Sequence, residues 1–108
     1  MPSYRNTTSG TLTGNDQTVV LAWREFYNGG VGIQVTGTFT GTLTFQMTID
    51  GTNYVSALTT NVTTGAQSTT TSSTGIFFFN VVGAMSVRVI GSGWSSGTAT
   101  VTLVNLPG

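Results

Sequence analysis

The chain has 108 residues, 38% of them hydrophobic, with no cysteine and no histidine; at this length one domain can bury roughly two-thirds of the surface its unfolded form exposes. Three basic and three acidic residues, Arg5, Arg24 and Arg88 against Asp16, Glu25 and Asp50, give a formal net charge of zero. Scattered cations without a cluster do not make a nucleic-acid surface, and without cysteine no disulfide holds the fold.

Threonine supplies about a fifth of the chain. Its β-branched side chain favours strands while its hydroxyl keeps a solvent face polar, so the pattern predicts an all-β chain. Residues 1–16 are polar and rich in turn signals and read as an N-terminal arm that becomes ordered on a partner, with a β-sandwich domain in 17–108. No apolar run follows the first residues, so neither a signal peptide nor a membrane span is expected, and synthesis in a cytoplasm is.

Within the domain, the short apolar run 18–23 reads as a strand covered on both faces. Val31, Ile33, Val35 and Phe39, then Leu43, Phe45, Met47 and Ile49, alternate with small or polar residues. Such a period of two belongs to strands and not to a helix. Asp50-Gly51 follows as a tight-turn signal, the glycine accepting positive φ, and Tyr54-Val55 begins the returning strand. The polar stretch 59–74 offers one edge strand near 68–71. Three further strands are expected at 76–82, 85–90 and 98–104, with 91–97 as the loop between the last two. Seven or eight short strands with frequent turns describe an antiparallel β-sandwich, jelly-roll or immunoglobulin-like.

The chemistry open to these residues is narrow. Nucleophilic catalysis by serine or threonine needs a nearby base, and no histidine is present to serve. Asp16, Glu25 and Asp50 are too few and too scattered for a carboxylate pair or a calcium cage, so neither catalysis, metal nor cofactor is expected. Asn6-Thr7-Thr8 and Asn61-Val62-Thr63 match a glycosylation sequon that a chain this rich in Asn and Thr meets by chance. Trp23, Tyr27, Tyr54 and Trp94 offer a stacking platform for a glycan; in the plainer reading Trp23 is core and Trp94 packs from a loop.

Contact with other proteins has better candidates. In the strand 76–82, Phe77, Phe79 and Val81 point one way and Ile76 and Phe78 the other, so one face needs cover from a loop or a second protomer. Arg88, between Val87 and Val89, faces away from the valines, toward Asp50, Glu25, a neighbouring subunit or solvent. Tyr4, Arg5, Phe77, Phe78, Arg88 and Trp94 are the interface candidates.

Residues 35–46, Val-Thr-Gly-Thr-Phe-Thr-Gly-Thr-Leu-Thr-Phe-Gln, followed by Ile49-Asp50-Gly51-Thr52-Asn53-Tyr54-Val55, resemble a β-sandwich module of tailed-bacteriophage structural proteins. In that module a Gly-Thr-rich strand pair leads into an Asp-Gly hairpin. Later segments, Thr74-Gly75-Ile76-Phe77, Val87-Arg88-Val89 and residues 96–101, follow in the module's order, so the likeness spans about residues 31–103. Gln46 stands where the module often carries an acid, and Tyr54 where it often carries tryptophan. The resemblance implies a virion protein acting by contact, a capsid decoration protein or another accessory head or tail component. It further implies a homo-oligomer, with a trimer favoured, that binds other virion proteins such as the major capsid protein. The alternative is a carbohydrate-binding module using Trp94 and Tyr54.

Overall fold

The computed structural model describes residues 6–22, 30–80 and 86–105. They form nine strands and, among the described residues, no helix: β1 (Asn6–Leu12), β2 (Thr18–Ala22), β3 (Gly30–Thr48), β4 (Val55–Ser56), β5 (Thr59–Asn61), β6 (Gln67–Ser68), β7 (Thr70–Thr71), β8 (Gly75–Asn80) and β9 (Ser86–Asn105). Every pairing is antiparallel.

Two long strands organise the molecule. β3 and β9 pair from Val31↔Asn105 to Thr48↔Ser86, with one register shift between Thr40 and Thr42. Their alternating apolar residues, Val31, Ile33, Val35, Leu43 and Phe45 on β3 and Val87, Val89, Ala99, Val101 and Leu103 on β9, are all buried. Midway the ribbon turns a corner. Gly37 has φ 102 and Gly97 φ 88, and a Cβ on Gly37 would run into the carbonyl oxygen of Thr98, one on Gly97 into that of Thr38. Only glycine accepts both the conformation and the closeness, so the two strands bend together where the register shifts. A bent ribbon of this kind passes from one layer of a sandwich to the other.

On one side of the corner the layer runs β1-β9-β3-β8-β5-β6. On the other, β2 pairs with β9, and β4 and β7 succeed one another along the free edge of β3. The layers meet through Phe45 of the second and Phe77 of the first, ring centroids 5.1 Å apart. Leu12, Val19, Leu21, Ala57 and Phe79 complete the same cluster. Each large side chain so buried contributes about 1.5–3 kcal/mol relative to exposure.

The all-β antiparallel sandwich expected from the alternation is present, and the differences from the sequence reading are local. Residues 6–12, read as part of an arm awaiting a partner, are strand β1, paired over seven positions with β9. Their backbone finds its hydrogen bonds inside the chain, and Leu12 enters the core fully buried. Val20 is 39% exposed, so β2 is covered on one face and not two. Residues 91–97, read as a loop, are the bent middle of β9. The edge strand expected at 68–71 divides into β6 and β7, which serve different layers. These changes raise the strand count to nine. Trp23, Tyr27, Arg24, Glu25, Val81 and Val82 lie outside the described residues.

Candidate functional site

The Asp50 turn is built by its own side chains. Gly51 has φ 84, and the hairpin pairs Met47 with Val55 and Gln46 with Ser56. Asp50 Oδ1 accepts from the amides of Thr52 and Asn53, both at 2.8 Å, and from the Thr48 hydroxyl at 3.0 Å. Its Oδ2 accepts from Asn53 Nδ2 at 2.8 Å. The Asn53 amide and side chain, then Thr52 and Thr48, hold the Asp50 carboxyl well below the usual carboxylate range. Both oxygens are engaged within the loop, so Asp50 is a structural group that keeps the turn closed. Beside it Ile49 and Val55 are 70% and 62% exposed.

On the outer side of the same layer, the Arg88 guanidinium carbon lies 4.0 Å from the centre of the Tyr54 ring. Arg88 Nε donates to Gln46 Oε1 at 2.7 Å. Ser86 Oγ donates to the carbonyl of Leu21 at 3.2 Å, which leaves it to accept the Tyr54 hydroxyl at 3.0 Å. Arg88 is therefore held by a ring face and an amide of its own chain. Positions 46 and 54, where the chain departs from the module its sequence resembles, supply these partners.

At the corner, Trp94 stacks on Phe39 with centroids 5.3 Å apart and planes 10° from parallel. Its indole N–H donates to the carbonyl of Gly97 at 3.1 Å and its backbone amide to Asn15 Oδ1 at 2.8 Å. Gly41 has no side chain where the benzo edge of the indole passes. Trp94 thus pins the bent ribbon by packing within its own chain, from strand β9 and not from the loop expected.

The remaining surface is the outer face of the first layer. Thr7, Val104, Gly32, Phe78 and Thr60 form one cross-strand row, and Ser9, Thr102, Gln34 and Ile76 the next. Phe78 and Ile76 are 48% and 46% exposed. Gly32, Gln34, Ile76, Thr102 and Val104 line a groove of about 270 Å³, and Phe78 stands beside Gly32 on the neighbouring strand. Ser9 and Thr102 hydroxyls bond across the second row at 3.2 Å.

Of the interface candidates, Phe78 stands on this open face. Phe77 does not: it is 4% exposed and packs on Phe45, because strand alternation turns it inward, so it is a core residue. Arg88 and Trp94 have partners in their own chain and sit on the other layer and at the corner. Tyr4 and Arg5 lie outside the described residues. The sequence reading did not single out Gly32 and Val104, since their neighbourhood comes from pairing between strands some seventy positions apart.

No protein-family model and no curated protein matches the sequence. The fold, however, recurs in solved structures. The SPBc2 prophage-derived protein YomS is similar over 96% of this chain and 96% of its own, with a TM-score of 0.73 and 14% identity. The PBSX exported protein XepA is similar over 98% of this chain, with a TM-score of 0.77 and 12% identity, and this chain spans 39% of its length. The chain shares its β-rich fold with the prophage-derived protein YomS and with XepA.

Proposed function

We propose that the chain is a bacteriophage virion structural protein, a capsid decoration protein or similar accessory head or tail component, acting by protein–protein contact. The observation that carries this reading is the end-to-end fold likeness to a prophage-derived protein of matching extent, 96% of both chains. The sequence resemblance at residues 31–103 supports the same class.

The side chains are consistent with contact and not turnover. Asp50 is consumed by its own turn, and no histidine or cysteine occurs in the chain. Its partners on this reading are copies of itself and other virion proteins such as the major capsid protein, without cofactor or nucleic acid. Tyr54 and Trp94 each give a ring face to their own chain, which favours a protein partner over a glycan.

The test is to mix the purified chain with particles of its phage assembled without it and to sediment them. Saturable co-sedimentation at a fixed number of copies per particle is expected. Failure to bind heads or tails, with retention on a polysaccharide matrix, would sink the reading.

A further inference from the structure

We propose that the outer face of the β1-β9-β3-β8-β5 layer is a self-association surface. On it two copies pack face to face about a two-fold axis, and Phe78 of each seats over Gly32 of the other.

The first support is shape. Phe78 and Gly32 are direct cross-strand neighbours, and Gly32 is also opposite Val104. A protruding ring, 48% exposed, thus stands beside a depression walled on its far side by Val104. A knob and a hole side by side on one surface complement their own copy after a two-fold rotation, which is the condition for an isologous contact. Ile76 and Gln34 in the next row extend the apolar and polar parts of the same match.

The second support is charge. Of the described charged residues, Asp16 and Asp50 lie outside the strands, and Arg88 lies on the half of β9 beyond the corner, paired with Gln46 in the other layer. Its outward side chains are threonine, serine, glutamine, asparagine, valine, isoleucine and phenylalanine. A second copy meets such a face without burying an unpaired charge, whereas a charged partner finds nothing to pair with. The most exposed apolar pair, Ile49 and Val55, adjoins the Asp50 carboxylate and shares its groove with it.

Area is the third. Four strands of six or seven residues on this layer and the three-residue β5, about 4.8 Å apart and about 3.3 Å per residue, give a flat face of roughly 480 Å². Side-chain relief brings this toward the roughly 800 Å² per partner of a standard stable interface. The contact closes at two copies, in place of the trimer that the phage resemblance implies. It rests on sheet geometry and not on the virion assignment, and a measurement on purified protein separates the two.

Sedimentation equilibrium on the full chain is that measurement. The wild type is expected to sediment at twice its 11.2 kDa at concentrations of tens of micromolar, with little change in salt. Phe78→Glu is expected to weaken the dimer at least about 30-fold, as for a central anchor, and Ile49→Glu to leave it intact. Thr102→Arg, in the second row, is expected to act as Phe78→Glu does and serves if that variant fails to fold. A wild type monomeric at about 500 μM, a trimer, a dimer that survives both face variants, or one lost equally in Ile49→Glu would overturn the proposal.

Discussion

Phe45 and Phe77 meet at 5.1 Å between ring centroids, tilted by 44°, although one belongs to each layer of the sandwich. Phe45 reaches the contact from β3 beyond the corner and Phe77 from β8, which pairs with β3 before it. The bent ribbon and this aromatic pair therefore depend on one another. Phe45→Ala is expected to cost about 3–5 kcal/mol in urea unfolding, and Phe77→Ala a similar amount. In a double-mutant cycle the pair should couple by about 0.5–1.5 kcal/mol; strict additivity would place the rings in separate clusters.

The turn after β3 gives a second expectation. Gly51 has φ 84, a conformation that a β-branched residue resists, whereas Thr52 is exposed and already β-branched. Gly51→Val should lower stability by about 1 kcal/mol or more, and Thr52→Val by much less. Equal urea midpoints would show that the turn has another geometry.

Asp50 makes the same turn sensitive to acid. Hydrogen bonds from Asn53, Thr52 and Thr48 lower its folded pKa, while the unfolded carboxyl titrates near the ordinary value of about 3.9. A depressed folded pKa means that the contribution is complete above the unfolded value and is lost as pH falls through the folded one. Thermal melts should therefore show a shallower loss of stability between about pH 5 and pH 2 in Asp50→Asn than in the wild type. Parallel pH profiles would remove Asp50 from the account of the turn.

The Arg88 cluster predicts opposite signs for two substitutions. Tyr54→Leu removes the ring under the guanidinium and the hydrogen bond to Ser86, and should destabilise by about 1–2 kcal/mol. Gln46→Glu turns the 2.7 Å contact with Arg88 Nε into an ion pair. It should stabilise by up to about 1 kcal/mol at low salt, fading as salt rises. A gain from Gln46→Glu that persists in Arg88→Gln would contradict the pairing.

How much of this was legible in the sequence depended on whether the signal was local. Leu43 to Phe45 and Val87 to Val89 announce their strands by alternation, and Asp50-Gly51 announces its turn by chemistry that needs no distant partner. Residues 6–12 carried no such signal, because six of the seven are polar or glycine and what holds them is backbone pairing to β9. The middle of β9 read as a loop because its Gly-Ser-Gly and Ser-Ser-Gly runs lie on the corner, where side chains face solvent and alternation vanishes. The positive φ at Gly37 and Gly97 is dictated by each strand's closeness to the other, some sixty positions away. For the candidate surface, Phe78 was readable from the strand period. Its neighbours Gly32 and Val104 were not, since register between distant strands is set only by the completed sheet.

The most direct measurement of the proposed virion role is quantitative mass spectrometry of density-banded phage particles induced from the strain that carries the gene. The account predicts the chain in the banded particles, at a fixed ratio to the major capsid or tail protein that survives repeated banding. Its presence only in the unsedimented lysate, with none in the particles, would contradict the account.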